Sequence, residues 1–477
     1  MVWLTALPDD VVLLVGDFLV CPAFLATTCL RLHAVLRQHT RNVTLGRPEV
    51  TGAARRLVVR VLSGDVVGTL CPLLAGAVQL RHLVVQAAGA GLDGRLFTVL
   101  SASLASCVSL ESVGVLAGCN AVADWNEIHG FLRGLPPTVE TVRLNLEGNP
   151  CALPNTTELG GGLAHLPNLH TLHLGLGGMH SRGTAFSVAH CCPRQVSRFS
   201  VVLGNSPVAD GPVPVGRLLC STMRNVCVVL SHTLLLDDGC VGNLSRLRRL
   251  RLELGDDRRG PWVDDNGAAV HRTLGALAAA VSLEVLDLGL SGINLQRWHA
   301  DLAALVSLLT VPNLPALSCL GLGLARTRLG THEARTLAET LSLRSTALCS
   351  LSLDVRGNDM GLVGDFPATS PWVPLRYLSR LQSLTIDLGD NHNVRSSHVN
   401  GTLFLTGALP ELRDFRLSMP GNRTVEQVDL APLAYAQTLT RLLLDFSGVP
   451  LRQHRLSALS ALTQLRAVEH VTLLPGG

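Results

Sequence analysis

One pattern restricts the fold of this 477-residue chain more than any other. An apolar-x-x-apolar-x-apolar unit, usually followed by another apolar residue two positions on, recurs along most of its length. Clear copies are LEVLDLGL from Leu283, LSCLGLGL from Leu317, LCSLSLDV from Leu348, LQSLTIDL from Leu381 and LTRLLLDF from Leu439. With the first apolar residue as marker, copies begin at Leu80, Leu110, Val139, Leu169, Val196, Met223 and Leu247. They continue at Leu283, Leu317, Leu348, Leu381, Leu412, Leu439 and Leu465, a mean step of about 29.6 residues. A weaker copy, ARRLVVRV from Ala54, starts the array.

Alternation inside the unit predicts a strand with one face buried and the other free. Between units the spacing becomes helical. Ala334, Leu337, Ala338 and Leu341 fall at i, i+3, i+4 and i+7, as do Leu274, Leu277, Ala278 and Val281. Strand, turn, helix and return within so few residues require a stacked right-handed coil. Position eleven from the marker is Asn120, Asn149, Asp257, Asn358, Asn391 and Asn422 in six units. A side-chain amide there can satisfy backbone groups of the turn leaving the strand, groups that stacking would otherwise bury unpaired.

These units resemble the leucine-rich repeat family, in its long, ribonuclease-inhibitor-like class, most closely over LSCLGLGLARTRLGTHEARTLAETL. The resemblance spans residues 54 to 477 and implies an α/β leucine-rich-repeat solenoid, a horseshoe of about fifteen units with a short helical N-terminal element. Two departures stand out. The strand is two residues longer than the commonest form, and repeat lengths run from 24 (Met223 to Leu247) to 36 (Leu247 to Leu283). The chain therefore divides into a helical segment, 1–50, and a solenoid, 51–477.

Composition agrees with a thin aliphatic core: 47% of residues are hydrophobic but only 4% aromatic, and 16% are charged. Net charge is +3, which makes no electrostatic case for nucleic acid or an acidic membrane. All 39 basic residues are arginine, so no side-chain ammonium is available for a Schiff base or isopeptide bond. Thirteen dispersed cysteines, Cys107, Cys227 and Cys349 among them, read as small buried hydrophobes of a reducing compartment, apart from the adjacent Cys191 and Cys192. Asp9, Asp10 and Asp17 interrupt the N-terminal apolar run, so it does not read as an export signal. The expected location is cytoplasmic or nuclear, and the five N-x-S/T sequons (Asn42, Asn155, Asn243, Asn400, Asn422) read as chance. The uncharged run from Leu302 to Ala325 is long enough to span a bilayer, yet it contains Pro312, Asn313 and Pro315 and ends in a repeat strand. It too is read as solenoid.

Residues 7–36 depart from the repeat. Pro8, Asp9 and Asp10 suit a helix start, and Val11, Leu14, Val15, Phe18 and Leu19 make an apolar stripe. A second helix opens at Pro22 and carries Leu25, Cys29, Leu32 and Leu36. Two such short helices cannot bury both stripes alone. The segment resembles an F-box through Leu7, Pro8, Val12, Leu14, Val15, Leu19, Leu25, Cys29, Arg31, Leu32 and Leu36, although the usual tryptophan near the end of the second helix is missing. That resemblance implies docking on a Skp-type adaptor of a cullin–RING ubiquitin ligase through Leu7, Pro8, Val12, Leu14, Val15, Leu19, Leu25 and Leu32, with the repeats holding a client. The other reading is an N-terminal cap over the first open edge of the stack.

Motifs for chemistry are missing. The sequence holds no G-x-x-x-x-G-K, H-E-x-x-H or G-x-S-x-G, and Gly175, Gly177 and Gly178 lack dinucleotide spacing. No catalytic, cofactor-binding or metal-binding residue is nominated, and the chain is expected not to be an enzyme. Binding is expected on the strand face, whose outward residues are free of the core. Candidates are Arg143, His173, Arg198, Arg248, Arg249, Arg251, Asp354, Asp387 and Arg416, joined by Glu140, Asn145, His170, Glu253, Asp287, Asp414, Arg441 and Asp445. The face reads as basic in the middle and more acidic later, with Arg248, Arg249 and Arg251 as the candidate set for an anionic partner. Gly289, Gly321 and Gly323 would leave room over the sheet. The partners expected are proteins, with neither nucleic acid nor membrane. A GTPase-activating role, known for some proteins with such repeats, finds no support here beyond the repeats.

Overall fold

The computed structural model describes residues 56–60, 74, 79–151, 156–177, 195–202, 223–229, 244–254, 267–293, 299–310, 312–345, 347–360, 370–391, 393–449, 456–457 and 470–474. The helical segment 1–50, with every adaptor-docking residue from Leu7 to Leu32, lies outside the described residues, as do Asp257, Cys191 and Cys192.

The chain folds as an open solenoid of stacked leucine-rich units. Fifteen parallel strands form one open sheet in sequence order. They are β1 (Arg56–Arg60), β2 (His82–Gln86), β3 (Ser112–Leu116), β4 (Thr141–Asn145), β5 (Thr171–Gly175), β6 (Arg198–Val202), β7 (Asn225–Val229) and β8 (Arg249–Glu253). Then follow β9 (Val285–Gly289), β10 (Cys319–Gly323), β11 (Ser350–Asp354), β12 (Ser383–Asp387), β13 (Asp414–Ser418), β14 (Arg441–Asp445) and β15 (His470–Leu474). Each strand from β2 to β14 begins two residues after its marker. The last does not: β15 begins at His470, so its marker is Val468, not Leu465. The Ala316–Leu322 part of the uncharged run reaches into β10, and no helix among the described residues is long and apolar enough to cross a membrane.

From β2 to β14 the second and fourth residues of each strand point into the core, and the others face out; β8, for instance, buries Leu250 and Leu252 and exposes Arg249 and Arg251. The seventh residue after the marker, the extra apolar position, lies beyond the regular strand but prolongs its pairing. Leu324 is buried, and its N–H donates to the Asp354 carbonyl at 2.6 Å. The backing layer holds helices α1 (Arg95–Leu104), α2 (Trp125–Arg133), α3 (Thr156–Leu163), α4 (Gly267–Leu277), α5 (His299–Leu309), α6 (Thr331–Ser342), α7 (Ser396–Leu403) and α8 (Leu405–Ala408). Ala334, Leu337, Ala338 and Leu341 of α6 are all fully buried, as their spacing predicts. The matching reading for α4 stops short. That helix ends at Leu277, and Val281, past its end, is 48% exposed. In two units 3-10 turns replace the helix, Val373–Tyr377 and Ala431–Tyr435, and each carries Pro-Leu-x-Tyr. Strands stack at about 4.8 Å while helices need about 8–10 Å, a mismatch that bends such a stack towards its sheet.

The asparagine positions behave as their spacing predicts. Asn358 is buried, and its Nδ2 donates to the carbonyls of Leu324 (2.7 Å) and Val355 (2.9 Å). Its Oδ1 accepts from the N–H groups of Thr327 and Leu329, both at 2.9 Å. Each amide therefore closes its own turn and that of the preceding unit. Asn120, Asn149 and Asn391 repeat this across their neighbours, and Asn422 donates to the Leu388 carbonyl. Full burial in the ladder also makes Asn422 inaccessible for glycosylation. One member escaped the sequence reading. Thr327 occupies position eleven of its own unit, and its hydroxyl donates to the Leu324 carbonyl.

Directly before position eleven the backbone is left-handed in every described unit. Glycine sits there at Gly89, Gly148, Gly292, Gly357, Gly421 and Gly448, with φ between 63° and 78°. Cys119 (54°), Arg326 (55°) and Asp390 (56°) adopt the same conformation at the cost of Cβ crowding.

On the opposite side of the coil, Arg344 is 2% exposed and has no carboxylate partner among the described residues. Its guanidinium donates to the carbonyls of Leu309 (2.5 Å), Thr310 (2.5 Å) and Leu314 (2.7 Å). The C-terminal end of α5, negative by its dipole and short of partners, is thereby capped from the next unit. Burial alone lowers the Arg344 pKa from its ordinary value.

Candidate interaction face

The free face of the sheet is assembled by register. The third residues of β4, β5, β8, β9 and β13 are Arg143, His173, Arg251, Asp287 and Arg416, and strand pairing sets neighbours of this column side by side. The first residues of β6, β7 and β8 are Arg198, Asn225 and Arg249, likewise in register. Asp354 and Asp387, the last residues of β11 and β12, are paired in the same way. Every nominated face residue thus lies on the outward side of the sheet, and none contributes to the core.

Ion pairs redistribute the charge. Arg251 lies against Glu253 on its own strand and within 3.5 Å of Asp287 on the next. Arg248, just before β8, pairs with Glu284 at 3.5 Å. Two of the three arginines expected to take an anion are therefore already engaged by carboxylates. Arg416 is held by Asp414 at 3.2 Å, and His170 faces Glu140 at 3.4 Å. Arg356 bridges Asp354 (2.8 Å) and Asp387 (3.5 Å). Such exposed pairs contribute about 0–1 kcal/mol each, so they act on the surface potential more than on stability.

The sign of the face varies across the strands more than along the array. Strand starts mix Arg198, Arg224, Arg248, Arg249, Arg413 and Arg441 with Glu111, Glu140, Glu284 and Asp414, whereas the charged residues at the ends of β2 to β14 are all acidic: Glu253, Asp354, Asp387 and Asp445. Reading residues in sequence order mixed these two rims, because only register separates them. Burial raises the Asp387 carboxyl pKa, with Asp354 and Asp445 adding to the effect, while the Gly389 N–H and Arg356 oppose it. Burial lowers the His173 imidazole pKa, and the neighbouring Arg143 lowers it further. Both effects favour the neutral form of the ring, which stands beside Arg143 on one side and Ser200 on the other.

The glycines do not leave open space. A Cβ on Gly321 would come within 2.7 Å of Asp287 Oδ1, and one on Gly289 within 3.1 Å of Glu253 Cγ. The carboxylates gathered by Arg251 lean across the positions where side chains are missing. The cysteine reading also needs correction. Cys107 and Cys151 are buried, and burial pushes the Cys151 thiol up to about 11. Cys227, Cys319 and Cys349 are only half-buried, because β7 and β10 place Cys227 and Cys319 on the outward face and Cys349 immediately precedes β11.

No protein-family model matches the chain, and no curated protein does. Among solved structures, the chain is similar to the TLR13–ssRNA13 complex at 16% sequence identity, with a TM-score of 0.38 over 85% of this chain and 57% of that one. The chain spans little more than half the length of that structure.

Proposed function

We propose that this chain is a protein-interaction scaffold, and specifically the substrate receptor of a cullin–RING ubiquitin ligase. The observation that carries the scaffold part is the division of labour within each strand: inward residues make the core, while a continuous row of outward residues makes none of it. A face so decoupled from stability can vary to suit a partner. Support for the ligase part is the F-box-like pattern from Leu7 to Leu36. In this reading the helices hold a Skp-type adaptor and the sheet face holds a protein client. The chain itself does no chemistry, needs no cofactor, and works in the cytoplasm or nucleus without nucleic acid or membrane.

The test is recovery of a Skp-type adaptor with the full-length chain and its loss on deletion of residues 1–40. No adaptor with the full-length chain would sink the ligase reading and leave the scaffold. Loss of solubility on deletion, with no adaptor ever bound, would make the N-terminal helices a cap.

A further inference from the structure

We propose that the starts of β6, β7 and β8 form a binding site for a short acidic peptide segment lying across the strands. This inference rests on the scaffold reading and names the chemistry of the partner.

Arg198 and Arg249, the first residues of β6 and β8, and Arg224, immediately before β7, are exposed, and among the described residues no carboxylate lies within ion-pairing distance of them. Elsewhere on the same rim, Arg81 is taken by Glu111 at 3.1 Å and Arg248 by Glu284 at 3.5 Å. Among the described residues the rim is thus uncompensated at three consecutive strand starts here, and again at Arg413 and Arg441. Backbone pairing holds the site rigidly. The Arg224 N–H donates to the Ser197 carbonyl at 2.9 Å, and the Arg249 N–H to the Arg224 carbonyl at 3.0 Å. Asn225 stands between Arg198 and Arg249 in the paired register and adds an amide.

Spacing selects the ligand. Arg198 and Arg249 are two strands apart, about 10 Å at the backbone. A peptide in the polyproline II conformation advances about 3.1 Å per residue with three residues per turn, so carboxylates three residues apart share one face about 9 Å apart and match the two guanidiniums, each of which can bind bidentately. A nucleic acid fits less well. Among the described residues, the exposed aromatic side chains that bases would stack on, Tyr377, Phe404 and Tyr435, belong to the backing layer. Glu253 and Asp287 would also repel a polyanion running on past β8.

Fluorescence anisotropy of the full chain with fluorescein-labelled octaglutamate tests this, with octaglutamine and single-stranded octathymidylate as comparison probes. Octaglutamate is expected to bind and octaglutamine not to. The double variant Arg198→Gln/Arg249→Gln should weaken binding by about tenfold or more, and raising the salt should weaken it further. Arg335→Gln, on α6 and paired with Glu339 at 2.9 Å, should leave binding unchanged. If the double variant fails to fold by circular dichroism, Arg224→Gln takes its place with the same expected direction. Absence of octaglutamate binding, equal binding by the variant, or tighter binding of octathymidylate would each overturn the proposal. Failure of the scaffold reading shows differently, as no protein recovered with the full-length chain under cross-linking.

Discussion

The turns after β9 and β11 follow the same backbone path but are closed by opposite chemistry. Both pass through a left-handed glycine, Gly292 or Gly357, whose N–H donates to the next unit, to Ala325 at 2.7 Å and Gly389 at 2.9 Å. The next position is then Ile293 in one turn and Asn358 in the other, both buried. Isoleucine fills the space and leaves the Leu290 carbonyl to its own N–H at 3.1 Å, whereas asparagine serves backbone groups of two units. The glycine and its inter-turn bond therefore set the path. The amide settles whether the turn is tied to its predecessor.

Substitutions that exchange these chemistries should separate path from tie. Asn358→Ile should have the largest effect, about 4 kcal/mol, because it orphans the buried Thr327 and Leu329 N–H groups and removes one of the bonds to each of the Leu324 and Val355 carbonyls. Urea denaturation would measure the total, and faster hydrogen exchange at Thr327 and Leu329 would locate it. Full protection at those two amides would mean the amide is dispensable, as it is after β9. Arg344→Leu tests the tie on the backing side. Leaving the Leu309 carbonyl unpaired, and the Thr310 and Leu314 carbonyls with only the N–H groups of Asn313 and Leu317, should cost about 3 kcal/mol, with the loss of protection confined to the end of α5.

Cys119→Gly tests the path alone. At φ 54° a Cβ is strained, so glycine should stabilise by about 1 kcal/mol, seen as a higher urea midpoint. A lower midpoint would show that the thiol contributes packing the backbone argument ignores. The smallest effect is expected for Val449→Asn, which places an amide next in line after Asn422. The Asn422 Oδ1 has no partner among the described residues, so the ladder is already incomplete there. Burying a new amide should be offset by bonds to the preceding turn, within about 1 kcal/mol of neutral. A loss as large as that of Asn358→Ile would show that ladder positions are not interchangeable.

A pH titration sharpens the comparison for α7, whose first turn is closed by a ring in place of an amide. The Arg395 N–H donates to His398 Nδ1 at 3.0 Å, which requires a neutral imidazole. Burial lowers the His398 pKa, and Arg395 adds to the shift. The fold thus favours the neutral form. The stability contributed is complete above the unfolded imidazole pKa of about 6.5 and is lost as pH falls below it. The urea midpoint of the parent chain should drop more steeply below pH 6.5 than that of His398→Gln.

Much of this was legible in the chain because it depends on spacing. A period near 29 residues with alternating apolar positions leaves one way to bury the leucines, so the markers placed the strands from β2 to β14 to the residue. The asparagine at position eleven was equally legible, since its partners lie one period away. The glycine before it was present in the rows too, but only its φ shows why Cys119, Arg326 and Asp390 belong with it. What the sequence could not determine is which charges meet. Arg251 and Asp287 are 36 residues apart along the chain and adjacent only through the register of β8 on β9, and Arg344 finds its carbonyls only where one coil stacks on the last. Periodicity specifies what each residue faces. Register and stacking decide whom it faces, and the charge left over on the β6–β8 rim follows from that second decision.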